Sequence, residues 1–302
     1  MQAASRTVVA LLLSTIMSVT DETLPQQPDV QEGIEYWNNQ PANYDGVLGG
    51  FGTGSLPRVD ALGSRRFLQY MMPELCTVPS AVRPLEPRAI DRRIRAVDVG
   101  AGVGRVTSDV LLHLVHDVVL VEPVESFIGE AFRRGSASAS ENPLPDGQPT
   151  RWKGIKEKTK SVTFIRGTLQ TFDPSNPGKG THIVGRVGYV SPEDDLDSKF
   201  DVIWCQWCLG HLNDQDLGAF FRRCRKALRD PENSIIMVKE NLCTDMEDGG
   251  PKTIFDESDS SLTRSDMAWK KAFTDAGLEL LDERLQRGFP EGLYDVKMYA
   301  LR

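Results

Sequence analysis

Apolar positions along the chain fall into short β-branched runs separated by segments with helical spacing. Arg95–Val99 is a compact strand candidate, and Val118–Val121 is a second, ended by Glu122. Val162–Ile165, Phe200–Cys205, Ser234–Lys239 and Val296–Leu301 read as further strands. Between them Arg105–Leu114, Asp216–Leu228 and Ser265–Ala276 carry helical periodicity, as does Ser64–Met72 nearer the N-terminus. This alternation predicts a three-layer α/β sandwich around a mostly parallel sheet, closed by an antiparallel C-terminal strand. Residues 34–75, aromatic and Gly-rich, add an N-terminal helical extension.

Two stretches break the rhythm. Residues 135–160 and 173–199 are rich in Ser, Gly, Pro, Asp and Lys and read as long surface insertions. Residues 76–93 form a Pro/Arg-rich loop, and residues 18–33 a polar linker without periodicity. Ahead of the linker, Thr7–Met17 is apolar and follows Arg6. It is too short to span a bilayer, and three readings stand: a secretory apolar segment, a mitochondrial presequence, or translation that starts at Met17. The expected organisation is a disordered or targeting leader over 1–33 and one folded domain over 34–302. No later run reaches membrane-spanning length.

Composition narrows the partners. Lys and Arg number 35 against 43 Asp and Glu, a formal charge of −8. An acidic chain lacks the surface that phosphate neutralisation needs, which counts against nucleic acid and favours a basic partner. Five cysteines (Cys76, Cys205, Cys208, Cys224, Cys243) are odd in number and widely spread. Reduced thiols in the cytoplasm or nucleus are therefore expected, not a disulfide scaffold.

Candidate chemistry begins at Asp98-Val99-Gly100-Ala101-Gly102-Val103-Gly104, where the first strand meets its helix. Glycines let the backbone approach a ligand, and a helix N-terminus offers free amides. A dinucleotide site wants a further glycine at 105, where Arg105 stands. The arrangement instead resembles the nucleotide-binding turn of class I S-adenosylmethionine methyltransferases, with Glu122 placed to accept both ribose hydroxyls. An ordinary tight turn beside a strand-end acid is the plainer alternative.

A second group of motifs goes further. Tyr36-Trp37 precedes Tyr44-Asp45-Gly46-Val47-Leu48-Gly49-Gly50-Phe51-Gly52. Later come Trp204-Cys205-Gln206-Trp207-Cys208-Leu209-Gly210-His211-Leu212, Val238-Lys239-Glu240-Asn241 and Phe255-Asp256-Glu257-Ser258-Asp259-Ser260-Ser261. Together they are similar to the α-N-terminal protein methyltransferases, enzymes that methylate protein N-termini beginning Xaa-Pro-Lys/Arg. The resemblance runs from about Tyr36 to Arg302, apart from the two insertions and the Pro/Arg loop. It implies a class I, Rossmann-like fold, S-adenosylmethionine as methyl donor and S-adenosylhomocysteine as product. It further implies no metal, and a monomer acting on basic termini such as those of ribosomal or chromatin proteins.

Carried over residue by residue, the resemblance places Gly100, Gly102 and Arg105 at the methionine end of the cofactor and Glu122 on the ribose. Pro123, Val124 and Gln206 join this cofactor set, and Leu169 and Gln170 surround the adenine. Tyr36, Trp37 and Trp207 would wall the peptide entry, with Leu48, Gly49 and Gly50 covering it. Asn241 and Ser261 would hold the substrate, and Asp256 would read its basic third residue. Asp259 and His211 would take or orient the proton of the amine.

Each assignment has a plainer reading. An acidic run such as 256–259 is by itself most often a solvated loop, and a lone histidine is most often structural. Trp and Tyr at these spacings can equally be core. Cys205-x-x-Cys208 lacks the second pair of a zinc site and reads as packing. Gly49–Gly54 is not followed by the G-K-[ST] of a phosphate loop. A methyltransferase for lysine side chains or small amines, and an inactive scaffold on the same fold, are the rival functions.

Overall fold

The structure is a computed structural model that describes residues 26–76, 92–144, 148, 150–193 and 195–302. The apolar leader and most of the Pro/Arg loop lie outside the described residues. The chain opens with α1 (Val30–Asn38), capped where the Asp29 carboxylate accepts from the Gln31 and Glu32 amides. The short α2 (Tyr44–Val47) and long α3 (Leu56–Met71) follow, the latter with Pro57 in its first turn. Strand β1 (Arg95–Val99) leads through the glycine turn to a π-type turn at Thr107–Leu111 that runs into α4 (Leu112–Leu114).

Next come β2 (Asp117–Glu122), α5 (Glu125–Ala139), β3 (Ser161–Arg166) and β4 (His182–Gly188). Then β5 (Val202–Gln206), α6 (Asp214–Ala227) and β6 (Ile235–Leu242) complete the parallel part. The hairpin β7 (Thr253–Asp256) and β8 (Ser261–Arg264), α7 (Asp266–Asp275), β9 (Leu280–Leu285) and β10 (Asp295–Leu301) close the chain.

The main sheet has eight strands in the order β4-β3-β2-β1-β5-β6-β10-β9. Strands β3, β2, β1, β5 and β6 pair in parallel, and β10 lies antiparallel between β6 and β9. Because successive side chains point to opposite faces, β1 feeds two cores. Ala96 packs with Phe67, Leu68, Val110 and Ile128 on one side, while Val97 and Val99 pack with Phe220, Phe221 and Phe273 on the other. Both faces are covered, which is why the central strands are apolar throughout instead of alternating. The expected α/β sandwich with its antiparallel C-terminal strand is therefore the fold.

Several expectations require correction. The linker over 18–33 gives way to α1 from Val30, so an Asp29 cap was the overlooked signal. The helix expected over 105–114 contains the π-type turn. Helix α5, strand β9 and the β7–β8 hairpin went unread. The two insertions are less superficial than their composition suggests. Residues 135–139 continue α5, and β4 at 182–188 pairs antiparallel with β3 as a sheet edge. Trp152 and Ile155 sit in the core, and the Trp152 ring stacks on Phe164 with centroids 6.0 Å apart. The Ser138 hydroxyl, accepting from the Trp152 amide and the Gln148 side chain, ties this segment to α5.

Trp152 is only 3% exposed. Trp152→Ala is expected to cost about 3–5 kcal/mol of unfolding free energy by denaturant titration. A loss below about 0.5 kcal/mol would return the segment to the surface.

Candidate active site

Strand order reverses between β1 and β5, and ligands of open α/β sheets bind at the carboxyl ends of strands at such a point. There the chain turns sharply at Gly100, whose φ of +61° suits glycine. A Cβ at 100 would stand 2.3 Å from the Cys208 Cβ, so the position also admits no side chain. A first cavity opens beside this turn, and Gly100, Gly102, Arg105, Glu122, Pro123, Val124, Leu169, Gln170 and Gln206 all line it. Every residue that the resemblance assigned to the cofactor is therefore brought together.

Glu122 is buried, and its two oxygens accept from the amides of Gly102 (2.8 Å) and Val124 (2.9 Å). Burial pushes its pKa up to about 7, against the two amide bonds that favour the anion. Each oxygen retains a lone pair for a ribose hydroxyl. Asp98, also on the cavity wall, accepts from the Thr107 hydroxyl and is pushed up to about 6 by burial. Apolar Val124, Phe127 and Leu169 suit an adenine, and Arg105 suits a carboxylate, so the lining fits S-adenosylmethionine.

The helix α1 forms the lid of this cavity through Val30, Gly33, Ile34 and Trp37, none but Trp37 anticipated. It packs closely: a Cβ on Gly33 would lie 3.1 Å from His211 Nδ1. The Asp29 amide, donating to the Ser260 hydroxyl at 2.9 Å, pins the start of α1 to the turn between β7 and β8.

A second cavity lies outside the first, and Trp37, Val47, Trp207 and His211 line both. Leu48, Gly49, Asn241, Asp259 and Ser261 line the outer one, as expected of substrate residues. Asp259 Oδ1 and Trp207 Nε1 are buried without a hydrogen-bond partner on residues that line it, while the unpartnered His211 Nδ1 packs towards Gly33 of α1. The two orphaned groups mark a place for polar ligand atoms. The Trp37 indole N–H donates to His211 Nε2 at 3.0 Å, so a neutral His211 carries its proton on Nδ1. Burial holds its pKa below the usual value, opposed by the Asp259 carboxylate and the Ser260 backbone.

Three assigned residues are not brought to the cavity walls. Tyr36 packs edge-on against the Trp37 ring, 5.1 Å between centroids. Gly50 lies beside the lining residue Gly49 without joining the lining. The exposed Asp256 carboxylate accepts from the Ser258 amide and hydroxyl, bonds that hold its pKa below the usual range. Sequence reasoning also missed contributors. Glu240 lies beneath the outer cavity, and its Oε1 accepts from the amides of Cys208 and Leu209, both at 3.0 Å. Burial pushes it up to about 7. Phe51, Phe289, Leu293 and Tyr294 supply apolar wall from loops that carry no periodic pattern. Cys205 and Cys208 pack as expected, Cys208 Sγ donating to the Val99 carbonyl.

Strand order and glycine turn place the molecule among the class I S-adenosylmethionine-dependent methyltransferases. Its sequence matches the AdoMet-dependent proline di-methyltransferases over residues 26–302, and the chain belongs to that family. It is 36% identical to alpha N-terminal protein methyltransferase 1 of Schizosaccharomyces pombe over 89% of this chain and 94% of that one. It is 32% identical to N-terminal Xaa-Pro-Lys N-methyltransferase 1 of Rattus norvegicus, over 88% and 92%. Among solved structures, a SAM-dependent methyltransferase of Leishmania major superposes with a TM-score of 0.62 at 29% identity, covering 90% of this chain and 82% of that one.

Two outcomes follow from the site's electrostatics. Nitrogen-15 NMR at pH 7.5 is expected to show His211 neutral with its proton on Nδ1; a proton on Nε2 would break the Trp37 assignment. Glu122, raised from 4.5 to about 7, binds its proton more tightly when folded. Its contribution to stability is thus full below about pH 4.5 and is lost as pH rises towards 7. Ligand-free wild type should therefore lose stability relative to Glu122→Gln across that window, by a few kcal/mol, because each tenfold gain in proton affinity is worth about 1.4 kcal/mol. A pH-independent difference between the two would refute the raised pKa.

Proposed function

We propose that this chain methylates the α-amino group of protein N-termini beginning Xaa-Pro-Lys or Xaa-Pro-Arg. The junction of the two cavities carries the reading: an amine entering by the outer one stops against Trp37, Trp207 and His211, facing the methionine end of the inner one. S-adenosylmethionine, when bound, would supply a sulfonium methyl whose carbon the amine nitrogen takes as the C–S bond breaks, with S-adenosylhomocysteine as the leaving thioether. Alignment of that nitrogen is the protein's chief task. The rat relative's name, with its Xaa-Pro-Lys terminus, supports the substrate class.

An α-amine has a pKa near 8, so about a tenth is neutral at pH 7. Modest help in losing a proton suffices, and Asp259 is the acceptor. Its Oδ1 is buried, unpartnered and on the outer cavity wall. His211 orients the site instead, because Trp37 already takes its Nε2 lone pair. Asn241 and Ser261 hold the peptide backbone. A proline at position two brings no N–H and a rigid ring, which suits the apolar wall of Leu48, Phe51 and Phe289. Asp256 meets the basic third residue at the mouth, outside the cavity proper.

The enzyme acts as a monomer in this reading. The charge of −8 suits basic substrates such as ribosomal or chromatin proteins. Cys205, Cys208, Cys224 and Cys243, buried as free thiols, suit the cytoplasm and nucleus.

Three peptides test the substrate: one beginning Ser-Pro-Lys, its N-acetylated form, and one beginning Ser-Ala-Lys. Mass spectrometry should find methyl on the first alone; equal labelling of the acetylated peptide would move the chemistry to lysine. Asp259→Asn should lower kcat at pH 7 by up to about tenfold, the share of the amine that is still protonated there. The deficit should shrink at pH 9, where most of the amine is already neutral. A loss that is the same at both pH values would end the acceptor role.

A further inference from the structure

Asp60 lies in α3, outside the motifs that mark the site. Its side chain is nonetheless fully buried. Asp60 Oδ2 accepts from Arg105 Nη1 at 2.5 Å, and Oδ1 meets Lys239 Nζ at 2.6 Å. Gln206 Nε2 also donates to Oδ1, at 2.9 Å, while Gln206 Oε1 accepts from the Trp204 indole at 3.1 Å. Asp60 thus holds two of the side chains that line the first cavity, Arg105 and Gln206.

The charges in this cluster do not balance. Arg105, Lys239 and Asp60 are all at most 4% exposed, giving two cations against one carboxylate. The other acceptors around Lys239 Nζ are neutral: Ser64 Oγ, Gln286 Oε1 and the Asp60 carbonyl. Asp109, half-buried near Ser108 and Tyr44, and Asp98, buried on the wall of the same cavity and bonded to the Thr107 hydroxyl, act on Arg105 only at longer range. A buried excess of positive charge is costly unless an anion completes it. Asp60 occupies one amino group of the Arg105 fork, which leaves the other donors for such an anion.

We infer that Asp60 is a positioning residue for recognition of the cofactor's carboxylate, acting through Arg105 and Gln206, with Lys239 supplying the charge that lets a second carboxylate enter. The inference rests on the cofactor reading above. Asp60 touches neither cofactor nor substrate; it fixes the direction from which Arg105 presents its free donors. Without it the guanidinium would keep its charge and lose its place.

Calorimetry with two ligands separates position from charge. S-adenosylhomocysteine carries the carboxylate; 5′-methylthioadenosine lacks the amino-acid tail. The variant Asp60→Asn with Lys239→Met removes one charge of each sign, so the cluster keeps its excess of one. Asp60→Glu keeps every charge and moves the carboxylate by one methylene, which guards against a double variant that fails to fold. Each is expected to weaken S-adenosylhomocysteine binding about tenfold or more and to leave methylthioadenosine within about twofold. Equal losses for both ligands, or no loss for either, would overturn the positioning role. Wild type that bound neither ligand would remove the cofactor reading itself.

Discussion

The backbone at Gly100 and the side chain of Cys208 approach so closely that a Cβ on residue 100 would stand 2.3 Å away. This contact joins the turn after β1, which edges the inner cavity, to the turn after β5, which carries Trp207 and His211. Neither turn can shift alone. Cys208 Sγ also donates to the Val99 carbonyl, and its amide donates to Glu240. The inner and outer cavities are therefore held in one rigid frame at the carboxyl ends of β1 and β5. Proximity catalysis needs that fixed relation, because a displacement of about 1 Å between reacting atoms costs orders of magnitude in rate.

The frame carries a high electrostatic load. Glu122, Glu240 and Asp98 are buried near the two turns, and burial raises all three pKa values. Their oxygens are spent on backbone amides and a hydroxyl, bonds that shape the turns without neutralising the charge. Asp60 behaves oppositely. Burial alone would raise its pKa, but Arg105 and Lys239 override burial and hold it below the usual range. Removing one partner of such a buried group costs far more than the intact cluster contributes, so the cluster specifies geometry better than it stabilises the fold.

Much of this was legible. The β-branched runs marked the central strands because both faces of the sheet are buried, and the glycine turn with Glu122 marked residues that the fold brings together around the first cavity. What stayed hidden depended on tertiary partners. Polar composition concealed β4 and Trp152, since an edge strand and a single anchoring ring leave no periodic trace. Asp29 as a helix cap looked like one more polar residue in a linker. Asp60, Glu240 and Gly33 act through contacts remote in sequence and carry no local signature. Asp256 shows the converse: the resemblance set it beside the substrate with Asp259, yet of the two only Asp259 lines the cavity.

Backbone conformation adds a last constraint. Among the described residues, three without the freedom of glycine adopt left-handed φ: Lys158, Trp207 and Ser260. Lys158 is exposed, but Trp207 and Ser260 both belong to the active-site framework, each at a cost of about 1–3 kcal/mol. A turn that needed only this conformation would carry glycine, as residues 100 and 102 do. Side chains persist at 207 and 260 because each completes something glycine could not. The Trp207 ring walls both cavities and lies under the Arg105 guanidinium at 5.3 Å, while its amide donates to the Lys239 carbonyl. The Ser260 hydroxyl receives the Asp29 amide and so closes α1 over the cofactor cavity. Strain at these two residues is thus the cost of placing an aromatic wall and a lid anchor where the chain must also turn, and the Lys239 carbonyl that receives the Trp207 amide holds the first of them in place.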